Sequence, residues 1–268
     1  MSANLPNSNL EICNVISESK RIVSSQKRHF TALSLLLLFP LSIFTILFVT
    51  FGKTTIISFI FALFAIIVSF CAVATITYTS FQGYNGQSID LSSIILSIFP
   101  LFLPLLSTFI LLLAITCTCL GLLLILIYKG VLLMGFDMHL SSFHFIILYL
   151  SIMIVVGVYL GMKWMLVNVI VVVEGKRCYE PLRRSAYLMK ELKWGQFCRL
   201  CLWYWATIWP AAHTAGRSKW LDNLSFAVLL VYYSGFLTLW LLHSLVRNVV
   251  LYVQCKALCG EFLQDLPL

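Results

Sequence analysis

The sequence contains few charged residues. Only 10% of its 268 residues are Asp, Glu, Lys or Arg, and 61% are hydrophobic, whereas soluble domains carry about 25% charged and about 45–50% apolar residues. This composition and the mean hydropathy of +0.98 exclude a water-soluble fold. No polar stretch is long enough to build a soluble core, so residues 1–268 are predicted to form a single membrane domain.

Motifs of catalysis are also missing. The sequence has no H-E-x-x-H zinc motif, no G-x-S-x-G elbow, no phosphate loop and no pair of carboxylates within an apolar run. Asp137, His139 and His144 have a metal-like spacing, but without a rigid scaffold or a second carboxylate they are expected to form an ordinary polar loop. We therefore predict no catalytic residue, no metal and no other cofactor, and an enzyme is less favoured than a non-enzymatic protein.

The nine cysteines form no paired zinc pattern, because the only C-x-x-C stands alone. As small apolar residues they are expected in lipid or in packed interfaces. Acylation near the cytosolic membrane boundary is the alternative for four of them, namely Cys198, Cys201, Cys255 and Cys259.

Long uncharged runs are the main feature that the sequence does have. A spanning helix needs about 20 mostly apolar residues. The run between Asp90 and Lys129 is too long for one crossing, because a single helix there would measure about 57 Å against a hydrocarbon core of about 30 Å. Pro100 and Pro104 are predicted to break it. The predicted spans cover about residues 31–51, 54–79, 104–128, 145–172, 196–212 and 224–245.

A helix-compatible segment precedes each of the three pairs of spans, at about residues 9–29, 87–99 and 176–194. In the third segment apolar residues recur at spacings of three and four, with cations on the other face. Such a helix is typical of the headgroup plane, with its apolar face towards lipid. The residues predicted to form this membrane-surface helix are Arg177, Leu182, Arg183, Arg184, Met189, Lys190 and Lys193. The predicted fold is an all-α, polytopic helical membrane bundle of about six transmembrane helices in three hairpins, with cytosolic amphipathic helices.

Lys and Arg are distributed unequally between the two sides of this bundle. Thirteen lie on the side of the termini and four on the other, and Lys163 lies within a span. Because cationic loops stay in the cytosol, both termini of this multi-pass integral membrane protein are predicted to be cytosolic. The sequence does not distinguish endomembranes from the plasma membrane. The net charge of +8 indicates contact with anionic lipid headgroups and not with nucleic acid.

Three stretches around the end of the fourth span form a recognisable pattern: VYLGMKW at 158–164, VVVEG at 171–175 and PLRRS at 181–185. They resemble the membrane domain attached to some bacterial glycerophosphoryl diester phosphodiesterases, and its stand-alone plant relatives of unknown function. The resemblance implies six spans with a cytosolic segment after the fourth, over nearly the whole chain. The sequence departs from that pattern at Val156, where a proline is common, and at Pro181, where a small residue is usual. These 268 residues hold no phosphodiesterase domain, so the resemblance implies no hydrolase activity.

A few polar or small residues within the spans are candidates for function or packing. Lys163 would cost about 2.5–3.5 kcal/mol at mid-bilayer, which makes it a candidate substrate or ion site. The alternative is a structural lysine that extends its ammonium to the headgroups or pairs within the protein. Its candidate partners are helix-end carbonyls, hydroxyls on adjacent spans, or a carboxylate at the cytosolic border such as Glu174 or Glu180. Asn168 is expected to bond a neighbouring helix or to fill a packed interface. Gly157 and Gly161 form a G-x-x-x-G, which allows another backbone to approach closely.

Three functions from different classes fit these observations, in decreasing order of preference. The first is a structural or interaction protein whose basic cytosolic helix contacts lipid headgroups, or a protein partner that the sequence does not identify. The second is a transporter or channel for a small solute or lipid that uses Lys163, which requires polar groups to converge at mid-membrane. The third is a membrane-embedded enzyme, which requires the His139 group to assemble with further residues.

Overall fold

The computed structural model of the chain describes residues 12–51, 55–86, 91–133, 143–191 and 223–260. These residues form helices and turns and no strand. Five helical segments among them are long and apolar enough to cross a membrane, which is the architecture of an integral membrane protein. The candidate spans are Lys27–Ile46, Phe59–Tyr84, Pro100–Lys129, Tyr149–Glu174 and Leu230–Leu258. The predicted fifth span, at about 196–212, lies outside the described residues.

The N-terminal helices lead into the first span. Helix α1 is followed by α2, a π-helical segment and α3 without a loop longer than one residue. Val15, Ser19 and Ile22 recur at spacings of four and three on α1, and all three are buried. Val15 and Ile22 belong to the same apolar cluster as Val246 and Val250, so this face of α1 packs on protein. The bounds are α1 Ile12–Ser25, α2 Lys27–Leu33, the π-helical segment Ser34–Leu38 and α3 Phe39–Phe51.

Helices α4 (Thr55–Tyr84) and α5 (Leu91–Leu133) are the next two elements. The break predicted at Pro100 and Pro104, with an interfacial helix at about 87–99 and a span at 104–128, is absent from α5, which runs through both prolines. Each proline removes one N–H donor, but in an apolar environment the remaining backbone groups have no partner outside the helix. The helix therefore continues, and only Pro100–Lys129 has the composition of a span.

The predicted fourth span, about 145–172, is one helix in the sequence pattern and two in the structure. Helix α6 (Phe143–Trp164) ends at a turn of Met165 and Leu166, and α7 (Val167–Glu174) follows. The amide of Met165 donates to the Met162 carbonyl, three residues back, which tightens the last turn. Leu166 is fully buried. An apolar run gives no sign of such a turn, because both halves are equally hydrophobic.

After α8 (Glu180–Leu188) and a 3₁₀ turn (Met189–Glu191), the last described element is α9, Asn223–Leu258. The sequence pattern favours a span at about 224–245 with a helical continuation past Arg247, and the helix does run on to Leu258. Arg247 lies within it and is buried, and its Nε donates to the His243 carbonyl at 2.9 Å. The apolar residues that follow Arg247 are buried in protein, so the charge does not mark the end of the helix. These residues are Val249, Val250, Leu251, Tyr252 and Val253.

Among the described residues, buried side chains are concentrated at one end of the bundle. One apolar cluster there joins Leu166 and Ile170 to Leu188, Met189 and residues of α9 up to Cys255. The cluster that holds α1 against α9 adjoins it through Tyr84, which packs on both. We call this region the polar end, because the ion pairs among the described residues lie there. It is formed by α1, α7, α8, the end of α4 and the C-terminal third of α9. In the middle of the spans many large apolar side chains are exposed, among them Ile67, Ile110 and Leu113, as a lipid-facing surface requires.

Candidate functional site

Glu174 stands at the centre of the polar end, as the last residue of α7. Gly175 follows with φ +64°, a left-handed conformation that ends helices and that glycine adopts without a Cβ clash. Only 9% of the Glu174 side chain is exposed. A carboxylate at a helix C-terminus meets the negative end of the helix dipole, and its burial is costly unless it is paired. This position therefore requires compensating partners.

The partners of the Glu174 carboxylate come from three elements. The Tyr252 hydroxyl on α9 donates to Oε1 at 2.7 Å. The Lys176 ammonium, on the segment between α7 and α8, lies 3.0 Å from Oε2, and Nε of Arg184 on α8 lies 3.5 Å from Oε1. Two cations and a phenol thus converge on one carboxylate and tie α7, α8 and α9 together.

Helix α8 presents one face to the protein and its cations to the outside. Pro181 lies in its first turn, where proline is tolerated. Arg183 and Lys190 are exposed, and Arg184 is half-buried. The buried side chains of this segment are Pro181, Leu182, Ser185, Leu188 and Met189.

The apolar side chains of α8 differ from the prediction. Leu182 and Met189, expected to face lipid, are 3% and 1% exposed. Leu182 packs with Val171 and Val172 of α7, and Met189 packs with Tyr252 of α9. A spacing of three and four residues predicts an apolar face but not whether protein or lipid covers it, and here protein does.

Ser185 secures α8 to the helix break of the fourth span. Its hydroxyl donates to the Lys163 carbonyl at 2.7 Å, and its side chain is fully buried. Carbonyls at the end of a helix lack an intrahelical donor, so Ser185 supplies one at the end of α6. A serine within the apolar stripe of α8 was the available signal in the sequence.

A surface cavity of about 470 Å³ opens beside this network. We call it the basic cavity, because three cations line it together with one acid and one phenol. The Arg184 guanidinium lies 5.8 Å from the centroid of the Tyr187 ring, within the range of a cation–π contact. The lining residues are Lys176, Glu180, Arg183, Arg184 and Tyr187.

Lys163 is half-buried, and its ammonium lies 5.8 Å from the centroid of the Tyr159 ring. Glu174 and Glu180 were its predicted carboxylate candidates, but Glu174 pairs with Lys176 and Arg184 instead. In the part of the chain that the structure describes, no carboxylate pairs with Lys163. The lysine's substrate or ion role stays a prediction.

Other predicted residues are dispersed. Asn168 is exposed. Gly157 and Gly161 are exposed, and no described atom lies within 4 Å of a Cβ built on either of them, so the predicted packing role of these glycines stays a prediction. Arg177, the residue after the lining residue Lys176, is exposed and does not line the basic cavity. Lys193, Cys198 and Cys201 lie outside the described residues, and so do Asp137 and His139 of the predicted polar loop. His144, the third member of that group, lies in the first turn of α6.

Sequence reasoning missed Tyr252 and Ser185 as members of this site and included Glu174 only as a border carboxylate. Glu174 could have been singled out in the sequence, because it is the acidic residue at the end of an apolar run. Tyr252 could not, because its partner is 78 residues away along the chain.

A family model described as a domain of unknown function, DUF8558, matches residues 48–265. The chain belongs to the DUF8558 family. The matched region includes Glu174, Tyr252 and the basic cavity. No curated protein and no solved structure matches the chain. The family description states no activity, and it makes no link to the phosphodiesterase-associated membrane domain.

Proposed function

We propose that this DUF8558 member is a multi-pass membrane protein that binds anionic lipid headgroups through the basic surface that follows its fourth span. Lys176 comes two residues after Glu174, where the candidate span ends. Arg177, Arg183 and Lys190 follow and are exposed. Each such cation contributes about 1 kcal/mol of attraction near an anionic leaflet. The protein is thus a structural or interaction protein, with its membrane contact as its principal binding activity.

The observation that carries the proposal is the way α8 is held. Its apolar face packs on α6, α7 and α9, and Arg184 is tethered to Glu174. The cations are therefore fixed at the membrane border by protein contacts. Attraction to lipid is electrostatic and does not depend on inserting Leu182 or Met189 into the bilayer.

We also propose six crossings with both termini in the cytosol. Met189 packs against Tyr252, near the C-terminal end of α9, whereas Asn223 begins α9 about 44 Å away along the helix axis. The described ends at Glu191 and Asn223 therefore lie at opposite ends of the bundle, which supports the proposed crossing between them. With six crossings the two termini share one side, and the Lys and Arg bias favours the cytosol for that side.

Lipid selectivity in nanodiscs tests the headgroup proposal. The Arg177→Gln/Lys190→Gln double variant removes two exposed cations that do not line the basic cavity, and spin-labelled phosphatidylserine and phosphatidylcholine report which lipid the protein immobilises. We expect the wild-type preference for phosphatidylserine to weaken in the variant and to fall with added salt. The charge-conserving Arg177→Lys/Lys190→Arg variant is the control and should keep the preference. Equal selectivity in all three proteins would refute the proposal.

A further inference from the structure

The lining of the basic cavity carries both signs of charge. Lys176, Arg183 and Arg184 supply three cations, and Glu180 supplies a carboxylate. The cavity volume of about 470 Å³ falls within the range of about 300–1,000 Å³ that small-molecule sites occupy. A bare phosphate would leave most of this space empty and would face the Glu180 carboxylate. The fitting ligand has an anionic group at one side and hydrogen-bond donors at the other.

Two of the cations are set in place before any ligand arrives. One of the three ammonium donors of Lys176 is directed at Glu174 Oε2, which leaves two for a ligand. Arg184 is held between Glu174 and the Tyr187 ring. Arg183 is exposed and makes no ion pair with a described residue, so its planar guanidinium is available for a bidentate contact with phosphate.

We propose that the basic cavity binds a phosphorylated polyol, with the phosphate on Lys176 and Arg183 and the ring hydroxyls donating to Glu180. This inference rests on the proposed contact with lipid headgroups and names their chemistry. The cavity follows directly on the end of the fourth candidate span, which places it at headgroup depth. The same chemistry is offered by an inositol phosphate headgroup of a lipid and by the free inositol phosphate.

The full chain in phosphatidylcholine nanodiscs tests this proposal with two probes. One is a fluorescent, singly phosphorylated phosphatidylinositol in the disc, and the other is soluble inositol phosphate. Saturable binding of the lipid that the soluble compound displaces supports a lipid source. Binding of the soluble compound without binding of the lipid supports a soluble source. Absence of saturable binding of both probes overturns the proposal.

Two single arginine substitutions distinguish binding in the cavity from general attraction to exposed cations. Arg183→Gln removes a lining cation that makes no described ion pair, and we expect it to weaken binding about ten- to hundred-fold. Arg28→Gln is the matched control, because Arg28 is exposed on α2, does not line the cavity and is not part of the basic surface that follows the fourth span; it should change the affinity less than about three-fold. Equal losses in the two variants would overturn the site.

Glu180→Gln should change the affinities for two ligands in opposite directions. Its carboxylate accepts from hydroxyls, so the substitution should weaken inositol phosphate binding, while the lost negative charge should strengthen binding of inorganic phosphate. Strengthened binding of both would show that no polyol is recognised and would overturn the proposal. The headgroup proposal fails separately, because it depends on the phosphatidylserine selectivity measured with Arg177 and Lys190.

Discussion

Glu174 is the residue through which three elements of the polar end are connected. A buried carboxylate without partners would favour unfolding or protonation. Here the carboxylate accepts a hydrogen bond from Tyr252 and forms ion pairs with Lys176 and Arg184. The Tyr252 bond is the shortest of the three contacts, at 2.7 Å, and it comes from the most distant part of the chain. Loss of this hydrogen bond is therefore expected to weaken the attachment of α9 to α7 and to leave the local ion pairs with Lys176 and Arg184 largely intact.

Tyr252→Phe removes the hydroxyl and keeps the ring in its apolar cluster. A hydrogen bond to a charged group contributes about 1.5–3 kcal/mol, so we expect a loss of this size in the free energy of unfolding. It is measured by circular dichroism in mixed micelles of increasing dodecyl sulfate content. The control is Tyr232→Phe, on the exposed face of the same helix, which should stay within about 0.5 kcal/mol of wild type. Equal stability of the two variants would contradict the assigned role of Tyr252.

Lys163 contributes to the described structure through its backbone carbonyl, which accepts from Ser185, and through the ring of Tyr159. Lys163→Met keeps both the carbonyl and the length of the side chain while it removes the charge. We expect folding to be retained or slightly improved, because no described carboxylate loses a partner and the desolvation cost disappears. Thermal unfolding in detergent measures this. A loss of more than about 2 kcal/mol would mean that the ammonium has a structural partner.

At the scale of elements, α8 shows what a helical pattern does and does not determine. The apolar residues Leu182 and Met189 share a face in the sequence and in the structure. The lipid-facing role of that face was predicted because cations occupy the opposite side, a pattern that membrane-surface helices and protein-packed helices have in common. The distinction depends on α6, α7 and α9, whose positions relative to α8 the local sequence does not encode.

Leu182→Asp tests that packing. An unpaired carboxylate would replace a side chain that is buried between α7 and α8, and we expect a destabilisation of about 3 kcal/mol or more. Tyr179→Asp is the matched control: it introduces the same charge three residues earlier, at an exposed N-cap position of α8 where aspartate is favoured. Dodecyl sulfate unfolding compares the two variants. Equal tolerance of both would mean that the apolar face of α8 does not pack on protein.

At the scale of the whole molecule, the helical membrane architecture could be read from the sequence, because lipid requires every backbone group to bond within its own helix. The first two spans and the span after Pro100 match apolar runs. The turn at Met165 and Leu166 could not be predicted, because the segments on both sides of it are equally apolar and the hydrophobic pattern does not change there. The pairing of Glu174 with Tyr252 also escaped prediction, because a single acid and a single phenol 78 residues apart carry no mutual signal.

Topology is tested by accessibility to a membrane-impermeant thiol reagent. Cys178 is exposed between α7 and α8, Ser24 is exposed on α1, and Lys129 is exposed near the far end of α5. In single-cysteine proteins, we expect Cys178 and Ser24→Cys to react from the cytosolic side and Lys129→Cys from the opposite side. Reaction of Cys178 and Ser24→Cys from different sides would contradict both the even number of crossings and the described packing of the polar end.

The distance along the chain between Glu174 and Tyr252 also sets an order of events during synthesis. Translation proceeds at about 5–20 residues per second, so Glu174 leaves the ribosome several seconds before Tyr252. Lys176 and Arg184 follow two and ten residues after Glu174, and they are able to pair with the carboxylate while the rest of the chain is still being made. The last helix then supplies the phenol that completes the network, and a nascent chain that stops before α9 carries at its membrane border an acid with two of its three partners.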